Sequence, residues 1–257
     1  MDAVYQALTA HRSIRKYRSD PIPEDVLERI LNAASRASSS GNMQPYSIIV
    51  TEDLALRRAL FDSHFQQSMV LEAPLLLTFC SDFHRMKKWL ALREAPDNFD
   101  NFMSFMIGAI DAILASQNAA LAAEAEGLGI CYMGTTLASC DEIAKILKCP
   151  ANVVPVVGFS LGYPDESPAI RDRLPINGIV HRDTYQDYDS QHIEQIYEEK
   201  ESRGWNRYLE IEDLRRQVLA EGATNLAQVY TKVKYTRDSH LQYSQIVLDC
   251  LRRQNFL

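Results

Sequence analysis

The apolar stretch from Phe102 to Ala125 limits the possible folds more than any other part of the chain. Phe102, Phe105, Met106, Ala109, Ile110, Ile113 and Leu114 wrap most of a helical circumference, so the segment is expected to be a central core helix rather than a surface helix with one apolar stripe. Asp111, Gln117, Asn118 and Glu124 interrupt it, which argues against a membrane span of about 18 uninterrupted apolar residues. Gly127 and Gly129 follow as its stop. With 257 residues, the chain can bury such a helix without a disulfide or a structural metal.

Around this helix the pattern alternates between helix and strand. A short helix is expected over 2–10. A second follows Pro23, whose missing N–H costs nothing in a first turn, and Val26, Leu27, Ile30, Leu31 and Ala34 mark its apolar face. The β-branched run 47–51 and the apolar run 75–80 read as strands, as do 130–133 and 153–161; helices are expected over 54–64 and within 82–100. Ser139-Cys140-Asp141-Glu142 has the Ser-x-x-Glu form of a capping box for a helix ending near Pro150. After Tyr185 the composition shifts to long, charged helices over 189–203, 211–219 and 238–254. That tail is expected to lack a compact core of its own and to wrap a partner or cover a site.

Charge and cysteine content exclude several functions. Acidic residues outnumber basic ones, 34 to 27, for a net charge of -7, so a nucleic-acid partner is not expected. Five cysteines, an odd number, without an N-terminal secretory pattern suggest reduced thiols and a cytoplasmic protein. Cys131, Cys140 and Cys149 are evenly spaced by nine, but no pair has the two-to-four-residue separation of a zinc site and no His lies among them, and no membrane partner is indicated. Gly-x-Gly-x-x-Gly after a strand, Gly-x-x-x-x-Gly-Lys, Gly-x-Ser-x-Gly and His-Glu-x-x-His are all missing from the chain.

Four segments could carry chemistry. In His11-Arg12-Ser13-Ile14-Arg15 two guanidinium groups, an imidazole and a hydroxyl fall together at a helix end; this is a candidate anion clamp, and equally a solvated basic helix end. Arg171 and Arg173 form a second basic pair, which alone reads as surface charge. Ser38, Ser39 and Ser40, beside Asn42 and Gln44, concentrate neutral donors and acceptors suited to a polyhydroxy chain or a heterocycle edge, though a helix C-terminal loop reads the same way. Gly127-Leu128-Gly129 and Gly134 would let backbone approach a flat ligand.

In content, order and spacing these segments resemble the nitroreductase family, and within it the larger branch of NADPH-dependent oxygen-insensitive nitroreductases and FMN reductases. The likeness covers about residues 4–188. It is carried by His11 through Arg15 with Pro21-Ile22, the 38–40 serines with Gln44, Phe79-Cys80-Ser81-Asp82-Phe83, the stretch from Gly127 to Gly134, and Gly162-Tyr163-Pro164 through Arg173-Leu174-Pro175. The resemblance implies an α+β fold: a three-layer α/β/α sandwich with a mostly antiparallel sheet and an extended helical C-terminal arm, divided into a 1–188 flavin-binding domain and a 189–257 arm. It also implies a homodimer. His11, Arg12 and Ser13 become FMN phosphate and ribityl contacts, with Arg15 toward the pyrimidine side. Arg171 and Arg173 complete the phosphate site, Ser38, Ser39 and Ser40 face the flavin across the dimer, and Gln67 lies near the ring. Tyr132, Met133 and Gly134 follow the flavin edge.

Two features depart from the family pattern. Thr135-Thr136-Leu137 stands where a second glycine and an arginine are usual, and the tail is longer. Arg203 and Arg207, four apart, could hold the NADPH 2'-phosphate or pair with Glu199, Glu201 or Glu210. The activity implied is ping-pong hydride transfer from NADPH, or NADH, to FMN and on to nitroaromatic, quinone or flavin acceptors, with no protein residue acting as the catalytic group. Other flavin chemistry on the same fold, such as dehalogenation, and a non-catalytic FMN-binding protein are the alternatives.

Overall fold

The computed structural model describes residues 3–257. In chain order its elements are α1 (Ala3–Ala10), α2 (Glu24–Ser35), β1 (Tyr46–Thr51), α3 (Leu54–Phe61), α4 (Met69–Glu72), β2 (Leu75–Asp82), α5 (His84–Leu92) and α6 (Phe102–Ala125). There follow β3 (Gly129–Tyr132), α7 (Thr135–Ala138), α8 (Cys140–Ile146), β4 (Val153–Gly162), α9 (Ser190–Glu210), α10 (Glu212–Ala220), α11 (Leu226–Val229) and α12 (Arg237–Arg253). The expected short first helix thus forms, with Asp2 outside the described residues.

One compact unit comprises the described residues up to Ala169 together with Tyr243–Leu257. Its sheet has the order β1-β2-β4-β3 with every pairing antiparallel. The two central strands are the two longest apolar runs, because only a strand covered on both faces tolerates unbroken hydrophobicity. Pro155 lies in β4 without breaking it. The register slips between Phe79 and Cys80, so that Val157 and Pro155 are the successive partners, and the residue that cannot donate sits at this bulge.

Alternate β2 side chains build two cores. Leu75, Leu77 and Phe79 pack with α2 and α6, whereas Leu76 packs with Leu60 of α3, Met69 and Val70 of α4 and Ile143 of α8. This is the expected three-layer sandwich. A third cluster brings Cys250, Leu251 and Phe256 of the C-terminus against Phe83, Phe105 and Val154.

The central helix is a core element as expected, but of the seven residues that marked its circumference only Phe105 and Ala109 are buried. Its buried face carries Gly108, Ala112, Ala115, Ala119 and Ala123, while Phe102, Met103, Met106, Ile110, Ile113 and Leu114 are exposed. Small residues let α2 and the sheet approach closely, and the large ones are left on the outer side. By length and hydropathy α6 does qualify as a possible membrane span; its packing against the sheet makes it a core element instead. It ends in a Schellman motif: Gly127 has φ 78°, its N–H donates to Glu124 O at 3.1 Å, and Leu128 N–H donates to Ala123 O at 2.9 Å. Ser139 does precede α8 but makes no side-chain capping bond, with φ -120° and ψ 25°, so the expected capping box does not form.

The second compact unit is Ile170–Gln242, and the helical turns over 243–257 fall in the first unit. The tail also has a small core of its own, contrary to expectation. Tyr208, Val218, Leu226 and Val229 are buried together with Trp205 and Leu214 against them. These apolar residues are scattered over three helices, so no one helix shows a run. Gly204 makes the packing possible: a Cβ there would stand 2.4 Å from Leu226.

Candidate functional site

The segment after α1 lies along the outer edge of β3. Ile14 N–H donates to Ile130 O at 2.8 Å, Ser13 bridges Ile130 in parallel, and Arg18 N–H donates to Tyr163 O at 2.9 Å. Gly129 is required here, because a Cβ would lie 2.6 Å from the Ile14 side chain. Tyr17, buried, pins the segment by donating to Ile14 O at 2.5 Å and sharing a 2.8 Å bond with Ser160 Oγ. Burial raises its pKa well above the usual phenol value. The edge strand is thereby covered, and the side chains of Arg12 and Arg15 stand on a rigid base.

The cluster is less open than its sequence suggests. His11 Nδ1 lies 2.5 Å from Glu124 Oε1, and Glu166 Oε1 accepts the backbone N–H groups of Arg15, at 2.5 Å, and Lys16, at 3.2 Å. Arg12 Nη1 donates to Ser167 Oγ at 3.1 Å, beside a cavity of about 330 Å³. Neither Arg12 nor Arg15 forms an ion pair among the described residues, so most of their fixed donors remain available.

Ser39 and Ser40, half-buried, are held by Asp111 of α6, while Ser38 is exposed at the head of the same loop. The sequence drew no attention to Asp111 beyond its interruption of an apolar run. Tyr132 turns its side chain inward: its hydroxyl lies 3.1 Å from Ser116 Oγ and its ring packs edge-on at 5.2 Å against Phe159. Burial raises its pKa as well. Met133 is buried, with its N–H donating to Gly158 O at 2.8 Å. Gly134 opens outward; an added Cβ would meet nothing within 4 Å.

The 64–67 and 135–136 segments carry unmet buried polar atoms, of which sequence reasoning singled out only the one on Gln67. Gln67 Oε1, His64 Nε2 and Thr136 Oγ1 are buried without a hydrogen-bond partner among the described residues. His64 Nδ1 lies 2.9 Å from Thr135 Oγ1, so the two segments meet here. Burial pushes the His64 pKa down to about 4, leaving the imidazole neutral near pH 7.

In the second unit Arg173 and Arg203 line one cavity of about 560 Å³. Arg203 pairs with Glu199 at 2.6 Å, one of the partners anticipated for it. Arg207 does not join that cavity and lies 5.7 Å from the Tyr208 ring centroid. Arg173 Nη1 donates to the carbonyl of Asp172 at 3.1 Å. Among the described residues no cluster of three or more His, Cys, Asp or Glu side chains could hold a metal, and all five cysteines are free.

An antiparallel sheet between two helical layers, edged by a basic N-terminal segment and adjoined by a serine loop tied to the core helix, defines an α+β protein of the nitroreductase-like class. The chain belongs to the Nitroreductase family, whose profile matches residues 8–163. It is 34% identical over 213 residues to an FMN reductase [NAD(P)H] of Bacillus subtilis, covering 80% of this chain and 84% of that one. Over 211 residues it is 35% identical to an oxygen-insensitive NADPH nitroreductase of Salmonella typhimurium, covering 80% and 86%. A solved chain from Bacteroides fragilis superposes with a TM-score of 0.90 at 38% identity, covering 98% of this chain and 99% of that one.

Proposed function

We propose that this protein is an FMN-dependent NAD(P)H oxidoreductase of the nitroreductase and flavin reductase type, acting as a cytoplasmic homodimer. The observation that carries this reading is the His11–Arg15 stretch, clamped to the edge of β3 through its backbone, with no carboxylate among the described residues paired to the Arg12 and Arg15 guanidinium groups. The names of the two curated relatives point the same way.

The residues present fit FMN. Arg12 and Ser13 offer charged and neutral donors to a phosphate, and Arg171 and Arg173 are assigned to the same group by resemblance. Gln67 and the outward-facing Gly134 suit the edge and face of a flat ring: one brings an unmet acceptor and the other an absence of side chain. When bound, FMN supplies hydride acceptance from NAD(P)H and onward electron transfer to a nitroaromatic, quinone or flavin. The protein orients the ring, leaves one face open for donor and oxidant in turn, and places positive charge near it. Ping-pong kinetics follow from a shared face. Five free thiols fit a reducing compartment.

Purified protein is expected to be yellow and to bleach anaerobically on adding NADPH. Replacing Arg12 with Ala should weaken FMN binding by about 1.5–3 kcal/mol, the contribution of a hydrogen bond to a charged group. Equal flavin affinity in titrations of both proteins would remove Arg12 from the site.

We assign Arg203, with Arg207, to the NADPH 2'-phosphate. The Arg203–Glu199 pair is exposed on both sides, worth at most about 1 kcal/mol, and is easily exchanged for a dianion. The double Ala variant should lose kcat/KM for NADPH by about ten-fold or more and keep it for NADH. Unchanged NADPH kinetics would leave specificity to other residues.

A further inference from the structure

We propose that Asp111 sets the shape and hydrogen-bond polarity of the 39–44 loop, and so the grip of Ser39 and Ser40 on the flavin. This rests on the assignment of those serines to the cofactor site. Asp111 is 1% exposed, at the middle of α6. Among the described residues its carboxylate bonds to the loop alone: Ser39 Oγ–H donates at 2.6 Å, Ser40 N–H at 3.2 Å to both oxygens, and Ser40 Oγ–H at 3.2 Å. Ser39 Oγ in turn accepts Gln44 N–H at 2.8 Å, which closes the loop on itself.

The loop needs such an anchor. Gly41, Asn42 and Gln44 all have left-handed backbones, with φ of 56°, 55° and 50°. For Asn42 and Gln44 that conformation is strained, and strain of this kind persists only where the surroundings over-determine it. A second tether is Arg85, whose Nη2 donates to Gln44 O at 2.5 Å and Tyr46 O at 3.1 Å. The third is a close approach at Gly108, one turn before Asp111. A Cβ at Gly108 would stand 2.8 Å from Pro45 O, so the bare glycine lets the loop settle on α6 with the serines over Asp111.

The chemistry of this arrangement is specific. A carboxylate only accepts, so it draws the hydroxyl hydrogens of both serines inward. Ser39 and Ser40 are left presenting oxygen lone pairs. They therefore recognise donors, the ribityl hydroxyls or the ring imide N–H, and not the phosphate. Asparagine at 111 nearly preserves the shape but adds two N–H donors, which reverses that polarity.

The test measures FMN and riboflavin dissociation constants, by flavin fluorescence, for the full-length wild type, D111N, S40A, D111N/S40A and R12A, with apoprotein melting as control. The expected result is at least about a ten-fold weakening by D111N, equal for FMN and riboflavin, and no further weakening in D111N/S40A. R12A should instead narrow the preference for FMN over riboflavin, weakening FMN about ten-fold or more and leaving riboflavin unchanged. Should D111N fail to fold, S40A alone still carries the test, since it too must weaken both flavins equally. Wild-type affinity in D111N, multiplicative effects of D111N and S40A, or a loss confined to FMN would each overturn the proposal. A wild-type protein that binds neither flavin would overturn the functional reading on which it rests.

Discussion

Lowering the pH from 6.5 to 4 is expected to remove about 3 kcal/mol of folding stability through His64 alone. In the unfolded chain this imidazole titrates near 6.5, and in the fold burial depresses it to about 4. Between those values the unfolded state holds the extra proton, so stability rises with pH across the window. The contribution is complete above about pH 6.5 and is lost as the pH falls through 4. The cause is geometric: His64 is 1% exposed, and among the described residues its Nδ1 meets the neutral Thr135 hydroxyl and no carboxylate is bonded to it. Urea unfolding of wild type and His64→Gln at fixed protein concentration isolates the effect, because every other titration is common to both. The stability difference between them should shrink by about 3 kcal/mol from pH 7 to 4. A difference independent of pH would show that the ring is already accommodated as a cation.

Ile110→Glu combined with Ile113→Glu is expected to convert the proposed homodimer to folded monomers. Both isoleucines are half exposed, at 50% and 49%, on the outer face of α6, in line with Met106 and Leu114. Covering the exposed half of each contributes about 1 kcal/mol, hence about 4 kcal/mol over two residues on two protomers, or roughly a thousand-fold in the dimer dissociation constant. Buried carboxylates would add to that loss. The inner face, with its glycine and alanines, is untouched, so helix content should be preserved. Sedimentation equilibrium at micromolar protein reads the outcome; an unaltered dimer would mean that the partner uses another surface.

These two predictions mark where sequence reasoning stopped. The strands 47–51, 75–80 and 153–161 were legible within two residues because β-branched and apolar runs bounded by prolines and glycines have few alternatives. The basic segment from His11 to Arg15 was legible as a candidate site because it is contiguous. The His64 to Thr135 contact, with unmet atoms on His64 and Thr136, was not, since the two segments are about 70 positions apart and each is unremarkable alone. Thr135-Thr136 was visible only as a departure from the family pattern, and His64 left no mark at all.

By itself the sequence determined the periodicities, the glycine stop after α6, the basic segment and, through resemblance, the family. Tertiary structure decided which side of α6 faces inward. A helix apolar on every side has no periodic signal to orient it, and the choice went to the side where Gly108 and the alanines allow backbone approach. The same close packing gave Asp111 its serine partners, neutralised His64, and joined three polar tail helices around Tyr208 and Leu226. Each of these depends on what lies within a few ångströms in space. Residue spacing along the chain records only what a segment can bury, and packing alone selects what it buries it against.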